Sequence, residues 1–412
     1  MTSRSSAVGL FLLLWVADVS SNQSPIGGPT ATLRPYPDFA LQASPVNTSP
    51  GPEYGSSTRM YQGVPGIERT ASGTLWGVWT GGGIEEGPLN YVMLVTSRDD
   101  GRTWSEPKLV IDPPGNVLAW DALLWIDPVG RLRLFWTQAY GRWDGRGGVW
   151  TIETENPDAE QPTWSAPRRL TDGMVQNKPT VLSSGEWLLP VWFWPYPCDL
   201  AAVNDRYQLG LSPGVVKSLC HDSEQPLLKV YQSVDQGNTW VWLSRAEVQD
   251  TGIGEHMIVE RRDGSLWMLV RTFYGIGQAV STNRGKTWEP TGPSGIRHPT
   301  TRFFIRRLKS GRLLMIRHNP PSINVRSHLT AYLSEDDGRS WSGGLLVDAR
   351  ESVTYPDGVE AGDGKIYMIY DHGRSSDREI LMATFREDDV KQGSCITRDC
   401  QLRMLINKAG PR

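Results

Sequence analysis

The sequence predicts an all-β fold, a six-bladed β-propeller built from four-stranded antiparallel blades. Three observations predict the propeller. An eight-residue hairpin recurs as SRDDGRTW (97–104), SVDQGNTW (233–240), STNRGKTW (281–288) and SEDDGRSW (334–341). The last three copies follow one another at roughly 50 residues, the length expected of one blade. The 18 Trp and 43 Gly suit many short, aromatic-rich strands joined by tight turns.

Each hairpin has a physical rationale. The Asp or Asn at its third position bonds backbone N–H groups across the turn, the Gly at its fifth supplies a positive φ, and the Trp anchors the next strand. A degenerate fifth copy ends at Trp164 in NPDAEQPTW. With each hairpin placed between the third and fourth strands of a blade, the blades open near Tyr61, Asp121, Lys178, Glu255, Arg302 and Tyr355. The runs GTLWGVW, GRLRLFW, GEWLLPVWFW, GSLWMLV, GRLLMIR and GKIYMIY then read as second strands. The sixth blade has no hairpin of this kind, so its outermost strand comes either from residues 57–62 or from the C-terminal QLRMLIN.

Residues 1–21 read as a secretory signal peptide, with Arg4 before an apolar run from Ala7 to Val16 and small residues at Ser20 and Ser21. That run is too short to span a bilayer. The mature chain is therefore expected to be secreted or periplasmic, without a membrane span. Residues 22–56, rich in Pro, Ser, Thr and Gly, read as a leader or linker on the surface, with sequons at Asn22 and Asn47. Residues 57–412 then hold the propeller and a C-terminal extension. Cys198 with Cys220 and Cys395 with Cys400 are the favoured disulfides, each bracketing a local segment.

A formal net charge of -3 with no polybasic run argues against a nucleic-acid partner. No Cys-x-x-Cys or His-x-x-x-His spacing marks a metal site, and no cofactor is expected. A neutral or locally charged ligand is expected instead, and the expected state is a monomer.

In an up-and-down blade, the start of strand one, the end of strand two and the start of strand three share one rim, and the hairpins occupy the other. The first rim gathers Glu86, Asp121, Trp143, Lys178, Glu255, Arg271, Arg302, His318, Arg326, Tyr355 and the insertion between Cys198 and Cys220. Trp143 and Trp194 are candidates for stacking on a sugar face. For Glu255 and Arg271 the plain alternative is a structural ion pair between strands, and for His318 and His328 it is packing.

The repeated Asp boxes and the rim residues together resemble the sialidase (neuraminidase) superfamily, from about Tyr61 to Val390. Those enzymes carry a Glu sixteen residues before an Arg in a pattern like E-x-x-V-V-E-x-x-D-G-x-L-x-x-x-x-R, and Glu255 and Arg271 keep that spacing. Arg326, in NPPSINVRSHLTAYLSEDDGRSW, matches a second family arginine, and Tyr355, in TYPDG, matches the nucleophile that opens the last blade. Two departures stand out. The family's Tyr-Arg-Ile-Pro motif reads YQGVP here, with Gly63 in the arginine's place, and Glu86 stands where the family has an acid/base Asp.

The resemblance implies an exo-acting glycoside hydrolase that releases a terminal acidic sugar from a glycan or oligosaccharide. Tyr355 would be the nucleophile, Glu255 its base and Glu86 the general acid, with Arg271 and Arg326 binding the sugar carboxylate. Losing one arginine of the clamp costs about 2–5 kcal/mol of carboxylate binding. Two alternatives therefore stand beside sialic acid. One is a relative acting on a uronic-acid glycan, such as rhamnose linked to glucuronate, by hydrolysis or elimination, with Lys178, Arg302, Asp121 and His318 completing the substrate site. The other is a non-catalytic carbohydrate-binding propeller.

Overall fold

The computed structural model describes residues 37–193, 197–221 and 228–410. The expected signal peptide, Asn22 and Trp194 lie outside them. Six antiparallel sheets follow one another along the chain, each with its four blade strands hydrogen-bonded in sequence order. Their innermost strands are Gln62–Arg69, Val117–Ile126, Thr180–Val181, Met257–Glu260, Phe304–Arg307 and Val353–Glu360. These starts lie within a few residues of the blade openings read from the sequence.

The cores lie between blades rather than at the centre of the ring. Trp79, Met93 and Ile67 of blade one pack on Tyr367, Ile369 and Met382 of blade six. Blades five and six enclose Ile316, Leu329, Met368 and Phe385 in the same way. Each such side chain, fully removed from water, contributes roughly 1.5–3 kcal/mol. Because both faces of the second strands are covered, these strands are near-continuous apolar runs.

The hairpins hold one hydrogen-bond scheme on the outer rim. In the first, Gly101 N–H donates to Ser97 Oγ at 2.9 Å, Thr103 N–H to Asp99 Oδ1 at 2.9 Å and Thr103 Oγ1 to Asp99 Oδ2 at 2.6 Å. These donors, the Thr103 hydroxyl foremost, pull the Asp99 carboxyl down to about 2. Asp235 and Asp336 are held the same way by Thr239 and Ser340. The box Gly is left-handed in all four copies, with φ between 78° and 87°. The degenerate copy keeps the scheme, with Asn156 Oδ1 accepting from Thr154 Oγ1 at 2.8 Å and from Thr163 N–H at 3.1 Å.

Blade six is completed by Gln401–Lys408, so the C-terminal run supplies its outermost strand and residues 57–62 do not. No strand therefore crosses from the last blade to the first. The seam is held by contacts such as Gln62 N–H to the Arg374 carbonyl at 3.1 Å, Val64 N–H to Asp371 Oδ2 at 2.8 Å and Ile67 N–H to Asp357 Oδ2 at 2.9 Å. Part of the leader also joins the sheet system: Val46–Asn47 pairs with Leu109–Ile111 on the edge of blade one. Both disulfides are formed, Cys198–Cys220 and Cys395–Cys400. The first closes an insertion that carries helices α1 (Leu200–Tyr207) and α2 (Pro213–Leu219). Among the described residues no helix is long and apolar enough to cross a membrane.

Candidate active site

Four residues in or just before inner strands share an unusual backbone. Val64, Asp121, Glu255 and Tyr355 have φ of 55°, 49°, 37° and 54°. In blades one, two and six the pairing register slips at this point, between Gly63 and Gly66, Trp120 and Leu123, and Thr354 and Asp357. Such a bulge re-aims a side chain and bends its strand. A left-handed residue that is not glycine costs of order 1–3 kcal/mol, which the packed blades hold in place.

Tyr355 and Glu255, one hundred residues apart, meet at the centre of this arrangement. Tyr355 OH donates to Glu255 Oε1 at 2.6 Å, and Arg271 Nη1 donates to Glu255 Oε1 at 2.9 Å and to Tyr355 OH at 3.1 Å. All three are buried, at 7%, 1% and 5% exposure. Burial pushes the Tyr355 hydroxyl upward, the Glu255 charge adds to that, and Arg271, Arg374 and Arg326 pull it back. Among the described residues Glu255 Oε2 has no hydrogen-bond partner, so one buried carboxylate oxygen is left to accept from a ligand.

Arg326 comes from the loop before the third strand of blade five and donates through Nη2 to the Thr300 carbonyl at 3.1 Å. Thr300 Oγ1 lies 3.5 Å from Arg271 Nε, so one residue spaces the two guanidinium groups. The place of the missing first arginine is filled from elsewhere. A Cβ built on Gly63 would lie 2.7 Å from Cγ and Cδ of Arg374. Arg374 follows the second strand of blade six, and its guanidinium stacks on the Tyr355 ring at 4.0 Å. Its Nε donates to Asp371 at 3.0 Å, its Nη1 to Glu86 at 3.0 Å and its Nη2 to Thr354 Oγ1 at 3.2 Å. An open cavity of about 670 Å³ lies between Arg326 and Arg374, with Thr354 and Glu351 in its wall.

Glu86 is thus the anionic half of an ion pair, and it also accepts from Tyr61 OH at 3.0 Å. Its neighbour Glu85 is tied to the insertion, by Tyr207 OH at 2.7 Å and Arg206 Nη2 at 2.7 Å. Asp121 is in a different state. It is 7% exposed, hydrogen-bonds the Gln176 side chain, and its carboxyl is pushed up to about 8 by burial first and then by the charges of Glu86 and Glu255.

Three of the expected substrate ligands lie elsewhere. Lys178 is buried in the channel, with Nζ on the Ile67 carbonyl at 2.6 Å, on Glu68 Oε1 at 2.8 Å and 3.2 Å from Asp357. Arg302 donates to Asn177 Oδ1 at 2.9 Å and lies 3.9 Å from the same Asp357. His318 is fully buried between the Val353 carbonyl at 2.7 Å and His298 at 3.3 Å, and burial lowers it to about 4. The Lys178 and Arg302 charges, paired inside the ring, brace blades against one another. Trp143 is likewise buried, edge-on to Phe193. The residues missed in the sequence are Arg374, Tyr61, Gln176 and Asp371. The signal for Arg374 was its place after GKIYMIY, in the same interstrand loop of its blade as Glu86 in the first.

The model of a family described as a BNR repeat-like domain matches residues 73–368, and the chain belongs to that family, as a BNR-repeat member of the sialidase superfamily. A sialidase of Bacteroides fragilis (strain YCH46) is 22% identical over 68% of this chain and 54% of its own length, so the chain spans about half of that relative. Among solved structures, the Hadza microbial sialidase Hz136 superposes with a TM-score of 0.61 at 17% identity, covering 82% of this chain and 68% of that one. The intramolecular trans-sialidase from Ruminococcus gnavus, in complex with oseltamivir carboxylate, gives 0.60 at 16% identity, covering 80% and 95%. At these identities the likeness establishes the shared fold. Among the described residues no cluster of His, Cys, Asp or Glu could hold a metal ion.

Proposed function

We propose that this protein is an exo-acting glycoside hydrolase that releases a terminal acidic sugar from a glycan. The observation that carries this reading is the 2.6 Å contact of the Tyr355 hydroxyl with Glu255 inside a group of three arginines. A carboxylate on or near the anomeric carbon repels an anionic nucleophile, whereas a tyrosine hydroxyl approaches as a neutral group and gives its proton to Glu255 as it attacks. Sialidases depart in this way from the two-carboxylate scheme of most glycosidases. Arg271, Arg326 and Arg374 supply the charge that binds the sugar carboxylate, and Glu255 Oε2 is available to a substrate hydroxyl.

The source of the third arginine favours a second reading of the sugar. Arg374 enters from blade six, where the superfamily motif uses blade one, so the anion-binding region is displaced toward Arg326 and Thr354. A hexuronic acid, whose carboxylate sits away from the anomeric carbon, fits a clamp so displaced. Measuring release from fluorogenic sialosides and glucuronides between about pH 4 and 8, where these groups titrate, tests both readings. Hydrolysis of either class supports the enzyme; binding on a glycan array with no product from either overturns it in favour of a binding module. Two disulfides and the apolar N-terminal stretch support action outside the cytoplasm.

A further inference from the structure

We infer that Asp121 is the general acid of the reaction and that Glu86 is a positioning residue that holds Arg374 in the gap beside Gly63. The inference rests on the hydrolase reading above and reassigns a role within it. A general acid must carry a proton in the ground state and reach the leaving oxygen. Glu86 is engaged otherwise: its Oε1 accepts from both Arg374 and Tyr61, and protonating it would break the ion pair that seats the third arginine. Asp121 stands on a left-handed bulge in blade two like that of Tyr355 in blade six, and Glu255 has the same left-handed backbone just before its own inner strand. The buried Asp121 carboxyl senses Glu86, Glu255 and Arg374 and hydrogen-bonds the Gln176 side chain. Gln176 Oε1 has no partner among the described residues, so a ligand hydroxyl can complete this pair.

The step balances without any further reactant. Tyr355 oxygen bonds to the anomeric carbon, its proton passes to Glu255, the glycosidic C–O bond breaks, and the Asp121 proton goes to the departing oxygen. Water then attacks the anomeric carbon, giving its proton to the Asp121 carboxylate, while Glu255 returns the first proton to the released Tyr355 oxygen. Both carboxyl groups end as they began.

The experiment compares two leaving groups. With a sugar-linked substrate, sialyl-lactose or the corresponding glucuronide, departure needs a proton; with an activated aryl glycoside of the same sugar it does not. Asp121→Asn should lower kcat/KM by about 10²–10⁴-fold on the sugar-linked substrate and by less than about 10-fold on the aryl glycoside. Glu86→Gln should reduce both by similar factors and raise KM, as expected when Arg374 is loosened. On the sugar-linked substrate the wild-type profile should fall on the alkaline side near pH 8, as Asp121, raised by burial and then by the charges of Glu86 and Glu255, loses its proton, and on the aryl glycoside that limb should be absent. An equal loss on both substrates in Asp121→Asn, or a leaving-group split in Glu86→Gln instead, overturns the assignment while leaving the hydrolase standing. Failure of the wild type on both substrates overturns the hydrolase reading itself.

Discussion

The two rims of the propeller are made by the same repeat and behave as opposites. On the hairpin rim the third-position carboxylates Asp99, Asp235 and Asp336 are half-buried, are satisfied within eight residues of chain, and are interchangeable from blade to blade. On the other rim Asp121, Glu255, Arg271 and Tyr355 are buried, Glu86, Arg326 and Arg374 are half-buried, and the contacts of Tyr355 with Glu255 and of Glu86 with Arg374 join different blades. A larger cavity, about 760 Å³, does lie on the hairpin side between blades one and two, lined by box hydroxyls, Trp104 and Trp164. It brings together no buried acid and arginine pair. Local satisfaction yields a stable repeated turn; chemistry requires groups whose partners lie far away in sequence.

The contrast can be broken from the site side first. Tyr355→Phe should reduce turnover on the order of 10³-fold or more while leaving the melting temperature near that of the wild type, because Glu255 keeps Arg271. Turnover near the wild-type rate would remove Tyr355 from the mechanism. Arg374→Ala should cost roughly 2–5 kcal/mol of transition-state binding for a carboxylate-bearing substrate, read as kcat/KM. The same variant should discriminate less between that substrate and a neutral isostere; unchanged discrimination would assign Arg374 to the seam alone.

Buried histidines give a pH-dependent effect of intermediate size. Burial holds His256 and His318 at about 4 in the folded chain, below the ordinary value of 6.5. The unfolded chain therefore takes up these protons first, and the stability they contribute is present above pH 6.5 and lost as pH falls toward 4. The loss amounts to about 3 kcal/mol for each histidine. Denaturant titrations across this window check it, and His318→Asn should flatten the slope by up to one proton. Smallest is the effect on the hairpin rim. Asp235→Ala removes three hydrogen bonds from a solvent-facing turn and should lower stability by roughly 1–2 kcal/mol with no change in kcat/KM. A large activity loss there would join the two rims functionally and undo the comparison.

What the sequence disclosed divides along the same line. The hairpins, the six blade openings, the disulfide pairs and the meeting of Glu255, Arg271 and Tyr355 were legible because each follows from a period or a short spacing. Strand ends, however, assign a residue to a rim without fixing the direction of its side chain. Asp121, Glu255 and Tyr355 share a left-handed backbone, whereas Lys178 and Arg302 lack it and pair with Glu68 and Asn177. Arg374 escaped notice because its role exists only through the missing side chain at Gly63, three hundred residues away and brought close by closure of the ring. Likewise, nothing in its own sequence surroundings separates Glu86 the ion-pair partner from Glu86 the acid.

The seam has a thermodynamic consequence of its own. A propeller whose terminal blades, among the described residues, share no strand resembles a bracelet fastened mainly by side chains, and here the fastener includes Asp371, Arg374 and Thr354, the last two of which also border the cavity. A bound anion between Arg326 and Arg374 would act as the clasp. Ligand at one hundred times its dissociation constant adds about 2.7 kcal/mol to the folded state. Most of the resulting slowing of amide exchange should be concentrated at Val64 and Ile67, whose N–H groups bridge the two ends of the ring.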